Sequence, residues 1–319
     1  MGDRRSSKRV RTWVGLIVLA AVVVVLTLLA MKKAHPDVPD AGETPGYDPS
    51  TSSFNEPVED TDGEESTGDD EEDKADGAFS VAPAARVLSA SDASVAYRAA
   101  TGACPGAGAT IEATVDGGGS WTAVNLVDYV AASGVQDLSA GSDGAAQVLA
   151  FSPEDCASPV MAATYSYGEE WMALEGGEAW WFAPGTATLN GPGAKTVTAP
   201  CEVARLAVSG GDLTVLCADS SLAFSQDEGD SWKQSESISG AQDVSVHGRT
   251  IYLAQTGASS CEGTAIQTYG PDLEVKATQC VEGVASPGET TISVSDGGAM
   301  WLWAGEDLVK SVDGGETWE

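Results

Sequence analysis

Three aspartates recur in one local setting, and their carboxylates are the first candidates for chemistry. Asp116, Asp227 and Asp313 each stand third in an octapeptide of the form S/T-x-D-x-G-x-S/T-W. The copies are Thr114-Val115-Asp116-Gly117-Gly118-Gly119-Ser120-Trp121, Ser225-Gln226-Asp227-Glu228-Gly229-Asp230-Ser231-Trp232 and Ser311-Val312-Asp313-Gly314-Gly315-Glu316-Thr317-Trp318. A glycosidase needs a pair of such carboxylates flanking one bond. The neighbours argue for a different task. An aspartate so placed accepts N–H bonds from a tight loop. The glycine two residues on takes φ > 0 without a Cβ clash. The tryptophan then returns to an apolar layer. The three aspartates read as turn residues, not catalytic acids.

Other reactive sets are sparse. His35 and His247 are the only histidines, so no Ser/His/Asp or Cys/His arrangement is credible. All six cysteines (Cys104, Cys156, Cys201, Cys217, Cys261, Cys280) follow the apolar run near the N-terminus, and none forms a CxxC pair. That pattern predicts disulfides in an oxidising compartment and no zinc site. Gly106, Gly108 and Gly117–Gly119 flank strands and open no helix, so no phosphate loop is expected. No metal and no cofactor is expected. The net charge of −32 leaves no basic patch for phosphates, which excludes nucleic acid as a partner. From Ala78 onward there are 31 acidic and 8 basic residues, a balance of −23.

The repeated octapeptide resembles the Asp box of the BNR-repeat families found in sialidases, sortilin-like receptors and photosystem assembly factors. The resemblance implies an all-β fold, a β-propeller whose boxes join the third and fourth strands of each blade, away from the binding face. Thr164-Tyr165-Ser166-Tyr167-Gly168-Glu169-Glu170-Trp171 is a degenerate copy with Ser166 in place of Asp, and Thr268-Tyr269-Gly270-Pro271-Asp272-Leu273 is a weaker turn in register. Short β-prone runs precede the starts at 114, 164, 225, 268 and 311, among them Ser94–Ala99, Ala146–Ser152, Leu213–Cys217, Thr250–Gln255 and Ala299–Ala304. Five blades follow, or six, because the long step from 164 to 225 has room near Glu178–Asn190 for a blade without a box, or for an extra hairpin. Ala78–Ala82 is expected to supply the fourth strand of the last blade and so remove an open edge. Trp121, Trp171, Trp232 and Trp318 are expected to be buried between blades, with Gly118, Gly229 and Gly315 at the turns.

Strand order in such blades puts all the cysteines on the face opposite the boxes. Cys104, Cys156 and Cys261 fall in second-to-third loops, Cys217 ends a second strand, and Cys201 and Cys280 fall in connections between blades. Fifteen pairings are possible for six cysteines; this placement favours Cys104–Cys156, Cys201–Cys217 and Cys261–Cys280. BNR sialidases carry an arginine cluster and an early FRIP-like segment. Here the domain has only Arg86, Arg98, Arg205 and Arg249, and Val95-Ala96-Tyr97-Arg98-Ala99 is not that motif. Arg98 is equally suited to pairing with an acidic neighbour on a strand. Trp301 and Trp303 share a strand face and read as core. Trp180-Trp181-Phe182 exposes at least one aromatic, so Trp181, together with the loop of Asp155 and Cys156, is the expected ligand contact.

The N-terminal quarter organises all this. Arg4, Arg5, Lys8, Arg9 and Arg11 precede an uncharged run over 12–31, long enough for a transmembrane helix. The positive-inside rule puts residues 1–11 in the cytoplasm and the rest outside the plasma membrane. A cleaved signal peptide fits less well, since no small-x-small site follows the run. Residues 32–77 read as a disordered acidic linker: Asp37–Asp76 holds sixteen Asp and Glu against Lys74 alone. The expected protein is a single-pass, non-enzymatic propeller over 78–319 that binds a protein or glycan of the cell envelope. A glycan-active hydrolase of the BNR sialidase type is the second reading, and a structural envelope spacer the third.

Overall fold

The computed structural model describes residues 80–319 apart from 103, 105, 107, 155, 157, 177 and 178. The expected membrane helix and acidic linker lie outside these residues. Among the described residues no helix is long and apolar enough to cross a membrane.

The chain alternates short strands with turns rich in Gly, Asp and Ser, and folds into six antiparallel sheets. Blade 1 holds β1 (Arg86–Ala90), β2 (Ala96–Ala100), β3 (Thr110–Thr114) and β4 (Thr122–Asn125). Blade 2 holds β5 (Val135–Ala140), β6 (Ala146–Phe151), β7 (Pro159–Thr164) and β8 (Met172–Ala173). Blade 3 holds β9 (Trp181–Phe182), β10 (Thr188–Asn190) and β11 (Thr196–Thr198). Blade 4 holds β12 (Val203–Ser209), β13 (Asp212–Cys217), β14 (Ser221–Ser225) and β15 (Lys233–Ser237). Blade 5 holds β16 (Ala241–His247), β17 (Thr250–Thr256), β18 (Gly263–Tyr269) and β19 (Val275–Glu282), and blade 6 holds β20 (Thr290–Val294), β21 (Met300–Ala304) and β22 (Asp307–Ser311). The sheets pair in chain order within each blade. The innermost strands β1, β5, β12, β16 and β20 line the axis, and β20 returns beside β1. The domain is a six-bladed β-propeller. The long step after Thr164 is filled by a three-stranded blade that lacks the repeat.

Apolar clusters occupy the seams between blades. They join blades 1 and 2 (Tyr97, Ile111, Val148), 3 and 4 (Phe182, Leu213), 4 and 5 (Leu222, Leu253), 5 and 6 (Ile266, Leu302), and 6 and 1 (Leu88, Trp301). No such cluster joins blades 2 and 3 among the described residues.

The ring closes differently from the expectation. The segment before β1 adds no strand to blade 6. Val81 donates its N–H to Ala218 O (2.9 Å), Arg205 Nη2 donates to Ala82 O (3.1 Å), and Thr101 Oγ1 donates to Ala84 O (2.5 Å). The segment thus runs as a strap over the axis from blade 4 to blade 1, and buried Val81 packs into the core of blades 4 and 5. On the outer edge of blade 6, Glu319 exchanges two backbone bonds with Lys310.

Side chains hold the seam between blades 6 and 1. Ala90 N–H donates to Ser293 Oγ (3.0 Å) and Trp301 Nε1–H to Asp92 O (2.9 Å). Arg98 pairs with Glu112 at 2.8 Å, and its guanidinium lies 4.0 Å from the Trp121 ring and 4.9 Å from the Trp303 ring. Arg86 covers the other side of Trp303 at 4.4 Å and also pairs with Glu289. A stacked guanidinium adds about 0.5–2 kcal/mol. Arg98→Ala should therefore destabilise the domain by about 2 kcal/mol in urea unfolding, and Arg98→Lys should recover less than half. A loss below about 0.5 kcal/mol would mean that the stack does not hold the seam.

Candidate binding face

The three repeats fold into superimposable turns. In each, the first Ser/Thr hydroxyl donates to an Asp oxygen and accepts the N–H of the glycine: Thr114–Asp116 at 2.8 Å, Ser225–Asp227 at 2.8 Å and Ser311–Asp313 at 2.7 Å. The Asp then accepts both the N–H and the hydroxyl of Ser120, Ser231 or Thr317, each hydroxyl at 2.6 Å. Ser166 does part of this in blade 2 by accepting the Glu170 N–H at 3.0 Å. Gly118, Gly168, Gly229 and Gly315 have φ of 91°, 85°, 87° and 91°. They also abut the preceding blade: a Cβ at Gly168 would lie 2.8 Å from Ala113 Cβ, and one at Gly229 2.5 Å from Val197 Cγ2. The turns are thus joints between blades as well as loops.

The tryptophans differ from the expectation of uniform burial. Trp171 is buried, whereas Trp121, Trp232 and Trp318 are half-buried because they end on the rim of the ring. Trp171, Trp232 and Trp318 each donate Nε1–H to the carbonyl of the turn glycine. Trp301 is buried, Trp303 and Trp181 are half-buried, and Asp155 lies outside the described residues.

Cys104–Cys156, Cys201–Cys217 and Cys261–Cys280 are disulfide-bonded. Cys104–Cys156 ties the second-to-third loops of blades 1 and 2. Cys201–Cys217 ties the entry of blade 4 to the end of β13. Cys280 sits within β19 rather than in a connection, bridged to the loop ahead of β18. All three lie at the end of the ring opposite the repeat turns, where the strap also crosses. The strap covers the mouth on the side of blades 4, 6 and 1. The Cys156 loop belongs to blade 2, outside the strap's contacts, whereas Trp181 opens β9 opposite Asn190, at the end of blade 3 nearer the repeat turns.

The axis carries charge that spacing of the repeats did not reveal. β5, β12 and β16 each contain a β-bulge, and the residue after it is Asp137, Arg205 or Asp243. Arg205 Nε lies 3.6 Å from Asp243 Oδ1, while Asp243 Oδ2 accepts from Thr291 Oγ1 (2.6 Å) and Ile292 N–H (3.0 Å). Burial raises the Asp243 carboxyl despite Arg205, and burial likewise lowers Arg205. Asp137 has no such partner. Its burial, and then the charge of Asp243, push it up to about 7. The residue is nonetheless exposed to water. One signal was available in the sequence: Gln136-Asp137-Leu138-Ser139 recurs as Gln242-Asp243-Val244-Ser245.

These groups give opposite pH dependences. Asp116, Asp227 and Asp313 are held down to about 2, chiefly by the hydroxyls of Ser120, Ser231 and Thr317. A depressed pKa stabilises the fold above the ordinary carboxylate range, so that stability is lost as pH falls from about 4 towards 2. Asp137 is raised, so its ionisation opposes folding increasingly from about pH 4 to about 7. Asp137→Asn should therefore raise Tm by an amount that grows over that window and then levels off. A pH-independent gain would contradict the placement.

Seven of the eight basic side chains in the domain are in ion pairs, with Lys233 bonded to Pro271 O. Among the described residues no group of three or more His, Cys, Asp or Glu is placed to hold a metal.

No family model matches the chain, and no curated protein matches it. Among solved structures it is similar to YCF48 bound to a D1 peptide, at 16% identity over 76% of this chain and 82% of that one, TM-score 0.40. It is similar to a mutant of AofleA from Arthrobotrys oligospora at 13% identity over 76% and 86%, TM-score 0.47. It is also similar to Aleuria aurantia lectin in complex with a fucosylated GlcNAc at 11% identity over 76% and 95%, TM-score 0.47. The blade count and the closure of the ring rest on the strand pairings of this chain itself.

Proposed function

We propose that this chain is a membrane-anchored binding module. Residues 12–31 span the plasma membrane, residues 32–77 form an acidic spacer, and the propeller stands outside the cytoplasm. It engages an envelope protein or glycan through the disulfide-bearing face. One observation carries the reading: the groups that could do chemistry are committed to structure. The repeat aspartates are consumed in turns, the cysteines in disulfides and the arginines in ion pairs and aromatic stacks. What remains is a face stiffened by three disulfides, with the Cys156 loop of blade 2 outside the strap's contacts, and the half-buried Trp181 beside it in the seam of blades 2 and 3. The repeat turns are read as Asp boxes of a non-catalytic BNR-like propeller, in which Asp116, Gly118, Asp227, Gly229, Asp313 and Gly315 have structural roles.

Two experiments test this. The purified chain should not hydrolyse a fluorogenic sialoside between pH 4 and 7; turnover lost on Arg98→Ala would restore the hydrolase reading. Protease added to spheroplasts should release a fragment beginning within residues 32–77, and protection of the whole chain would refute the orientation.

A further inference from the structure

The repeated tetrapeptide on β5 and β16 meets two different fates. On β16, Gln242 Oε1 accepts the N–H of Gly288 (2.6 Å), Asp243 that of Ile292 (3.0 Å), and Ser245 Oγ that of Val294 (3.1 Å). The inner strand of blade 6 is thereby seated along three acceptors. Ser89 and Ser293 stand at the position of Ser245 in their blades, and they accept Ala140 and Ala90 N–H in the same way. On β5 only the first contact has a counterpart: the Gln136 amide clasps the N–H and C=O of Phe182. Asp137 accepts from the amide of its neighbour Leu138. The Ser139 hydroxyl has no hydrogen-bond partner among the described residues.

The cause is the make-up of blade 3. Lys195, in the turn between β10 and β11, reaches Glu228 and Asp230 in the repeat turn of blade 4. That turn therefore lies on the face of the repeats, and only four residues separate β11 from β12. The three strands consequently occupy the second, third and fourth positions of a blade, and no strand holds the first among the described residues. β9 itself stops after Phe182, where Pro184 offers no N–H and Gly185 (φ 75°) turns the chain back. The consequence is the missing apolar cluster between blades 2 and 3. The flank of blade 2 exposes Ser139, Gln147 and Met172 along one cross-strand row, with Ala163 buried between the last two. At its end Tyr165 is 64% exposed, beside a cavity of about 160 Å³ lined also by Gly141 and Ala145.

We infer that this slot docks one extended polypeptide strand of a partner, which donates two alternate N–H groups to Asp137 and Ser139 and lays an apolar side chain against Ala145 and Tyr165. Acceptors two residues apart on one strand match the roughly 6.6 Å between alternate N–H groups of an extended chain. The molecule already seats such a strand on the identical acceptors of β16, which favours polypeptide over sugar. Strand addition of this kind draws affinity from main-chain bonds and specificity from alternate side chains. Exposed Asp143, in the β5–β6 turn, carries negative charge at the end of the slot, and no basic residue lines the slot, so the strand should carry Lys or Arg. The inference rests on the binding-module reading but moves the partner surface into the seam between blades 2 and 3, whose Tyr165 end lies on the face of the repeat turns.

The test is to pan a phage library of random linear octapeptides on the immobilised full chain, then measure selected peptides by fluorescence anisotropy. Peptides with alternating apolar residues and a Lys or Arg are expected. Ser139→Trp, which fills the slot, should weaken them at least tenfold and Ser139→Ala several-fold. N-methylation of the donating amides should match Ser139→Trp. Hydrogen exchange on the unaltered chain should slow in residues 135–139 and 181–182 when peptide binds, which holds even if Ser139→Trp folds poorly. Peptides indifferent to Ser139→Trp, with protection confined to the Cys104–Cys156 loops, would overturn the slot and leave the module reading. A glycan array that binds in a Ser139→Trp-sensitive manner, with no peptide enriched, would overturn the occupant. No peptide enriched and no glycan bound would overturn the slot.

Discussion

Trp171→Ala is expected to destabilise the domain by about 3–5 kcal/mol, the range for removing a buried tryptophan from a packed core. Trp171 is 4% exposed, meets Tyr97 edge-to-face with ring centroids 6.3 Å apart, and donates Nε1–H to Gly168 O. Removing it would open a cavity in the core of blades 1 and 2 and orphan the glycine carbonyl. Tyr97 also donates to Gly144 O, so the damage would spread to the β5–β6 turn. The half-buried Trp232 tests the same idea from the other side: its replacement should cost less, about 1–3 kcal/mol, because less area is returned to water. Urea unfolding monitored by far-ultraviolet circular dichroism measures both. Equal losses at the two sites would mean that burial does not set the cost.

The second large effect is expected from the disulfide between Cys104 and Cys156. It closes a loop with a sequence separation of 52, against 16 for Cys201–Cys217 and 19 for Cys261–Cys280. Loop-closure entropy then gives about 4 kcal/mol for the first and about 3 kcal/mol for each of the others. Paired Cys→Ser variants should lose stability in that order, with Cys104→Ser/Cys156→Ser the most affected. It is also the bridge that spans two blades, so its loss should loosen the β2–β3 and β6–β7 loops. A Cys104→Ser/Cys156→Ser variant with unchanged stability would show that those loops are held by other contacts.

Much of the fold was legible because the repeat carries its own physics. The Asp, Gly and Trp spacing specifies a turn, and the β-prone runs ahead of each start proved to be the second strands β2, β6, β13, β17 and β21. The disulfide pairs followed from strand order. Blade 3 was the hard case: it lacks the turn residues and an inner strand, and its strands are two or three residues long, too short for alternation to show. The strap was misplaced because Ala78–Ala82 is apolar enough for a strand, while its actual anchors, Ala218 O and the Arg205 guanidinium, come from distant sequence. The axial charges were hidden for a related reason. Bulges break alternation, so Asp137, Arg205 and Asp243 look like surface residues until β1, β5, β12, β16 and β20 are drawn around one axis.

The central claim is that the open seam between blades 2 and 3 is the surface this protein uses. Cross-linking of the full chain in the cell that makes it, followed by hydrogen-exchange footprinting of the captured complex, tests this most directly. Protection is expected at the Cys156 loop, at Trp181 and along β5, with the repeat turns around Asp116, Asp227 and Asp313 unchanged. A footprint confined to those repeat turns would contradict the account.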